Sequence, residues 1–175
     1  MKTRQLESLN SNRAFLWILI GFASAYSISH AWAGQIIPGK VVGITDGDTL
    51  TLLDEKQTQY RIRVSGIDTP ERGQTFGHVA SENLAKLAFG QLAAADCQKL
   101  DRYGRWVCVV RVNGMDVGLS QIKAGLAWHY KKYANEQTPM DRELYAKAEQ
   151  EAKAAGIGLW KDMDPTPPWD WRKRR

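Results

Sequence analysis

Lys40-Val-Val-Gly-Ile44, Thr45-Asp-Gly-Asp48 and Thr49-Leu-Thr-Leu-Leu53 follow one another without a break, and the reading of this stretch decides the fold. Two β-rich runs flank an Asp-Gly pair, a strong hairpin signal because both residues accept the backbone angles of a tight turn. The fold is therefore expected to open with a β-hairpin. Tyr60-Arg-Ile-Arg-Val64 supplies a third strand, whose alternation sends Arg61 and Arg63 to one face and Ile62 and Val64 to the other. Pro70 stops it. Residues 94–100 and 106–112 read as two more strands joined through Asp101-Arg-Tyr-Gly104, where glycine tolerates the positive φ of a turn.

Helical spacing surrounds these strands. Over residues 77–88, Val79, Leu84, Leu87 and Ala88 fall on one side, leaving Ser81, Glu82 and Lys86 for the other. A second helix is expected over residues 117–127. A third runs from Pro139 to about residue 155, with Thr138 as N-cap, Pro139 at the first helical position and Gly156 as the stop. Its Glu143/Lys147 and Glu149/Lys153 spacings predict exposed ion pairs. After Trp160, Pro165, Pro167 and Pro168 are read as excluding regular structure, with Trp169 and Trp171 left to pack the tail onto the domain or onto nothing. Five strands with an early meander, then helices, suit a small Greek-key barrel of the OB type, although strand count does not choose among small β-barrels.

With 175 residues, 24 Lys+Arg against 19 Asp+Glu, 43% hydrophobic and 25% charged, the composition is that of a globular chain. Disordered, collagen-like and coiled-coil classes are excluded. Two cysteines are too few for a disulfide-scaffolded miniprotein, and no apolar run reaches the roughly 20 residues of a bilayer span. Residues 1–33 read as an export signal: Lys2, Arg4 and Arg13 form the positive end, residues 14–25 the apolar stretch, and Ala31-Trp-Ala33 the cleavage pattern, with the cut before Gly34. The expected product is periplasmic or secreted, has no stable membrane association, and is a monomer. Removing 33 of 175 residues leaves 142, one domain's worth, divided into a domain at residues 34–164 and a Pro/Trp/Arg-rich tail at 165–175. Its net charge is +3, while Arg172, Lys173, Arg174 and Arg175 alone carry +4, so charge argues only weakly for a nucleic-acid partner. The basic tail is read as a solvated end, with nonspecific attraction of anions as the alternative.

Two acidic loops carry the chemistry. Asp46-Gly-Asp-Thr49 and Gly66-Ile-Asp-Thr-Pro-Glu71 flank the strands at 49–53 and 60–64 and can converge at one end of a barrel. Carboxylates and backbone carbonyls from such loops suit a hard cation such as Ca²⁺, and Pro70 biases Thr69 toward an extended conformation that fixes its carbonyl direction. Each loop alone is also ordinary turn chemistry. Arg63, just upstream of Asp68, and Arg105, just after Gly104, place guanidinium forks beside the acids, and that combination fits phosphodiester hydrolysis. Spacing does not prefer Arg63 over Arg61. Cys97 and Cys108 flank the turn from opposite strands, and export predicts a disulfide between them. His78 and His129 lack partners at ligand spacing and are read as surface or packing residues, and Trp128 and Trp160 as core.

Five blocks in order, Ile44-Thr-Asp-Gly-Asp-Thr49, Arg63-Val-Ser-Gly-Ile-Asp-Thr-Pro-Glu71, Asp101-Arg-Tyr-Gly-Arg105, Gly125-Leu-Ala127 and Gly158-Leu-Trp160, resemble the staphylococcal nuclease-like thermonucleases over roughly residues 38–160. Pro168-Trp-Asp-Trp-Arg172 is similar to the tail of bacterial members. The resemblance implies an α+β protein, mainly a five-stranded Greek-key OB-fold barrel with three helices, and a Ca²⁺-dependent nuclease that cuts DNA and RNA and leaves 3′-phosphate ends. It implies that Asp48 and Asp68 bind the metal through carboxylates and Thr69 through its carbonyl, that Glu71 orients or deprotonates water, and that Arg63 and Arg105 clamp the phosphate. Arg102 and Tyr103 fall where the family contacts the nucleotide, and Tyr133 offers a stacking face, Tyr130 and Lys131 not matching the family's aromatic pair. The rival reading is a noncatalytic OB-fold module that binds nucleic acid or a partner protein. Retention of Asp48, Arg63, Asp68, Glu71 and Arg105 together favours catalysis.

Overall fold

The computed structural model describes residues 34–174, so the expected signal segment lies outside the described residues. Strand β1 (Gln35–Ile44) turns back into β2 (Thr49–Leu53), and β3 (Gln59–Val64) continues the meander antiparallel to β2. A two-residue strand, β4 (Ile67–Asp68), and helix α1 (Gly77–Ala88) follow. Strands β5 (Leu92–Leu100) and β6 (Trp106–Val112) make the second hairpin, and a short β7 (Met115–Asp116) leads into helix α2 (Val117–Lys123). After β8 (Trp128–His129) come helix α3 (Pro139–Ala154) and, in the tail, the one-turn helix α4 (Pro168–Trp171). No helix among the described residues is long and apolar enough to cross a membrane.

The sheet order is β3-β2-β1-β5-β6-β7, and β6 also pairs in parallel with β3 through Ile62↔Trp106, Arg63↔Val107 and Val64↔Cys108. That pairing closes five long strands into the expected OB-type barrel, with helices packed around it. Strand β1 is twice as long as its 40–44 segment suggested, because it serves two neighbours. Lys40 to Ile44 pair with β2 and Gln35 to Lys40 with β5, with a bulge between Val41 and Gly43 where β1 passes from one to the other. Pro38 and Gly39 hid the first half, since both residues normally argue against a strand.

The alternation read from β3 holds: Ile62 and Val64 are buried and Arg61 is exposed. Val41, Leu50, Leu52, Ile62, Val64, Ala95, Val110 and Val112 line the barrel interior, with Leu84, Val117, Ile122 and Tyr145 closing it from the helices. The Tyr145 hydroxyl donates to Asp116 Oδ2 at 2.8 Å, and Asp116 Oδ1 caps α2 by accepting from Leu119 N at 3.0 Å. Burial and the Asp116 charge push the Tyr145 phenol far above its usual range. Thr138 caps α3 as expected, accepting from Asp141 N at 3.1 Å.

Three expectations need correction. Helix α2 stops at Lys123, four residues before the expected end, because Gly125 takes φ +67 and turns the chain toward β8, which pairs with β4. Glu149 does not make an exposed pair. It is 2% exposed and accepts from His129 N at 3.1 Å and Lys131 Nζ at 2.6 Å, with Lys153 Nζ at 3.2 Å, while Lys147 meets Glu151 rather than Glu143. The proline-rich tail contains α4, since Pro168 suits the first turn of a helix as well as it suits an extended segment. Pro168 is buried, Trp169 stacks on Tyr130 with ring centroids 5.4 Å apart and planes 4° apart, and the Gln74 side chain donates to the Thr166 carbonyl. Trp128 meets Trp160 and Trp169 edge-on. The tail therefore packs onto the domain.

Candidate active site

The turn between β1 and β2 carries Asp46 and Asp48. Asp46 Oδ1 accepts from Asp48 N at 3.1 Å, and Thr45 N donates to the Thr49 carbonyl at 2.8 Å. Gly47 is the point of closest approach to the second acidic loop: a Cβ there would lie 2.7 Å from both Thr69 Oγ1 and Ala80 Cβ. Its carbonyl accepts from Gln121 Nε2 at 2.7 Å, and the same amide donates to the Ala80 carbonyl at 2.8 Å. Asn83 Nδ2 in turn donates to Gln121 Oε1 at 2.6 Å. Gln121 is fully buried, and nothing in its local sequence signalled this anchoring role.

Asp48 and Asp68 converge as the loops predicted. Asp48 Oδ2 receives Arg63 Nη1 at 2.7 Å and the Thr69 backbone N and Oγ1 at 3.1 Å each, and Asp48 Oδ1 receives Thr49 Oγ1 at 3.2 Å. Arg63 Nη2 donates to Asp68 Oδ1 at 3.0 Å, so one guanidinium bridges the two buried carboxylates. Arg61, two residues back on the same strand face, is exposed, which resolves the choice that spacing left open. Burial pushes the Asp68 carboxyl upward against the pull of Arg172 and Arg63. Burial and the neighbouring Asp48 charge raise Asp46 to about 6.

Arg105 approaches from the β5–β6 turn. Asp101 holds it, with Nε at 2.8 Å and Nη2 at 2.7 Å from Oδ2, and Arg105 Nη1 donates to Thr49 Oγ1 at 3.3 Å. The Thr49 hydroxyl thus links Arg105 to Asp48. Burial works against ionisation of Asp101, yet the Arg105 backbone N–H and guanidinium hold its carboxyl below the usual range. Glu71 lies on the loop before α1, where Arg72, which sequence reasoning passed over, ties that loop to the acidic turn by donating to the Thr45 carbonyl at 2.6 Å and 3.1 Å.

The candidate substrate contacts divide. Tyr103 is exposed beside the clamp, its ring 4.8 Å from the Arg102 guanidinium and 5.4 Å from that of Arg105. Tyr133 is 40% exposed but stands behind Tyr130, whose ring it meets edge-on at 5.0 Å. Tyr130 is half-buried and stacked on Trp169, and burial and then the Asp68 charge raise its phenol. Cys97 and Cys108 face each other across β5 and β6 and form the expected disulfide, next to the Val64↔Cys108 pairing that closes the barrel. His78 is exposed and His129 is buried against Gln137, consistent with surface and packing roles.

The larger correction is the basic tail. Arg172 is no solvated end residue: its Nη2 lies 2.7 Å from Asp68 Oδ2 and its Nη1 2.7 Å from Glu71 Oε1. Among the described residues no group of three or more His, Cys, Asp or Glu side chains forms a metal cluster. The expected donor set, two carboxylates and a carbonyl, is smaller than that. Its chemistry nevertheless fits a hard cation, because the carboxylates of Asp48 and Asp68 converge on one point and oxygen donors of that kind are what such an ion takes.

Residues 61–162 match the family model described as "Staphylococcal nuclease homologue". Micrococcal nuclease of Shigella flexneri is 40% identical over 152 residues, covering 82% of this chain and 83% of its own. An uncharacterized endonuclease of Haemophilus influenzae is 36% identical over 135 residues, covering 77% of this chain and 72% of its own. Protein ParB of Escherichia coli is 34% identical over 182 aligned residues, 99% of this chain and 95% of that one. With the family match spanning more than half of the chain and these relatives aligned over most of their lengths, the chain belongs to the staphylococcal nuclease homologue family.

Proposed function

We propose that the protein is a Ca²⁺-dependent nuclease that hydrolyses phosphodiester bonds of both DNA and RNA, cuts within strands and leaves 3′-phosphate ends. The supporting observation is convergence: Arg63 bonds both Asp48 and Asp68, Thr49 links Asp48 to Arg105, and Glu71 stands at the exposed margin of the same cluster. Relatives named as nucleases support the same reading.

On this reading the forks of Arg63 and Arg105 grip the nonbridging oxygens of the phosphate and stabilise the negative charge that grows there. Glu71 orients the attacking water or takes its proton. The water oxygen bonds to phosphorus as the P–O5′ bond breaks, leaving the phosphate on the 3′ side and a free 5′ hydroxyl. Asp48, Asp68 and the Thr69 carbonyl are the residues that would hold Ca²⁺, which when bound supplies Lewis acidity at the phosphate. Arg102 and Tyr103 contact the nucleotide, and the exposed Tyr133 offers a π face that accepts any base. The Cys97–Cys108 disulfide supports an exported, oxidised setting, and the protein acts as a monomer.

Hydrolysis of denatured DNA and of RNA by the purified protein, with Ca²⁺ or with chelator and alongside Glu71→Gln, tests the proposal. Cleavage should require Ca²⁺ and fall about 100-fold or more in the variant. A folded protein that binds nucleic acid but leaves it intact in Ca²⁺ would transfer the assignment to a noncatalytic OB-fold module.

A further inference from the structure

Asp68 is held from two directions. Arg63, from within the barrel, takes Oδ1 at 3.0 Å, and Arg172, from the tail, takes Oδ2 at 2.7 Å and lies 3.3 Å from Oδ1. The same Arg172 guanidinium donates to Glu71 Oε1 at 2.7 Å. Glu71 sits on a loop with its side chain 37% exposed, and among the described residues Arg172 is the hydrogen-bonding partner of its carboxylate. A carboxylate so placed, without a partner, would sample several rotamers. One hydrogen bond from a guanidinium that is itself held two-pronged on Asp68 selects one of them.

The tail delivers this guanidinium from a docked position. Pro168 is buried, Trp169 lies flat on Tyr130, and Trp171 lines a pocket together with Gln74, Phe76, Trp128 and Leu159. Arg172 follows α4 directly, so packing of two tryptophans sets where its side chain starts. The next residue behaves differently: Lys173 pairs locally with Asp170 at 2.8 Å. One basic residue of the tail is thus built into the acidic cluster, and its neighbour is not.

We propose that Arg172 is a positioning residue of the nuclease site: it clamps Glu71 to Asp68 and so fixes where the water-handling carboxylate points. The proposal rests on the nuclease reading, and acts through Glu71 rather than through contact with the reacting atoms. It predicts that Arg172→Gln lowers kcat by about 10-fold to 100-fold while KM changes by less than about threefold, the pattern of a lost outer contact to a working side chain. Arg172→Lys should recover part of kcat, because an ammonium keeps the charge but not the two-pronged geometry. Lys173→Gln, which removes the same charge one residue away, should leave kcat unchanged.

The deciding measurement is a double-mutant cycle under single-turnover conditions with enzyme in excess, so that residual cleavage by Glu71→Gln is readable. Arg172→Gln should change the rate by less than about twofold in the Glu71→Gln background, since the group it positions has already lost its function. Tryptophan fluorescence of Arg172→Gln should match the parent, the tail still being docked by Trp169 and Trp171, and its melting midpoint should move by no more than about 4 °C. An undiminished kcat in Arg172→Gln, an equal loss in Lys173→Gln, or a full-sized effect persisting in the Glu71→Gln background would each overturn the proposal while leaving the nuclease reading intact. A parent protein inert in Ca²⁺ would overturn both.

Discussion

Arg63 and Arg172 grip the same carboxylate, yet the chain delivers them in opposite ways. Arg63 projects from the middle of the barrel sheet, its position set by β3 pairing with β2 on one side and β6 on the other. A slip of one residue in either register would send it to the far face. Arg172 arrives from a short tail seated by aromatic packing. Strand pairing places a side chain as firmly as the whole barrel is stable, whereas a docked tail places one only as firmly as its own few contacts. The contrast separates a part of the site that fails only with the fold from a part that can be loosened by itself.

The sharpest way to test that contrast is Arg63→Ala. It leaves the buried Asp48 without its cationic partner and Asp68 with Arg172 alone, and removes half of the phosphate clamp, so kcat/KM should fall by about 1000-fold or more and urea unfolding should show a loss of about 3 kcal/mol. Next in size is the barrel's covalent tie. Replacing both Cys97 and Cys108 by alanine should cost about 2 to 3 kcal/mol in the same assay, as expected for a bridge of sequence separation 11. On the tail side, Trp169→Ala should cost about 1 to 2 kcal/mol through the lost stack on Tyr130. If its loss equals that of Arg63→Ala, the tail is as integral as the barrel and the contrast fails.

The smallest effect concerns Glu149, whose bond to His129 N secures the strand that pairs with Asp68. Burial opposes its ionisation, and the Lys131 and Lys153 ammonium groups overcome that, holding its carboxyl below the usual range. Its folded pKa being the lower one, the stabilisation is complete above the ordinary carboxylate value of about 4.3 and fades as pH falls through the folded value. The stability gap between the parent and Glu149→Gln, about 1 kcal/mol at pH 7, should therefore hold down to about pH 4.3 and narrow only below it in urea titrations at stepped pH.

Most of the barrel was legible because its signals are local. Alternation in residues 60–64, the Asp-Gly turn and the Asp101-Arg-Tyr-Gly104 turn each state their structure within a few residues. The pairing of the acidic loops was legible too, since the two antiparallel strands between them, β2 and β3, return the chain to the end it left. Arg63 could not be told from Arg61, because strand period alone gives both the same face and only the position of the loop ends separates them. Arg172 was misread for a deeper reason. Four basic residues at a chain terminus look like a solvated end, and a contact with Asp68 across 104 positions leaves no local trace. Gln121 was missed for the same reason: its role depends on Gly47 and Ala80, far away in the chain.

Closure of the barrel has a kinetic consequence. Ile62 must find Trp106 across some 44 residues, a costly loop to close before its contacts are rewarded, so closure belongs among the slow steps of folding. Arg63 lies in the closing segment of β3, and Arg105 immediately precedes its partner β6. The two halves of the clamp therefore sit on opposite sides of a seam that is joined late. On the proposed function, a chain whose barrel has not closed carries no assembled clamp, and the nucleic acid of the cell that makes it is safe until folding is complete.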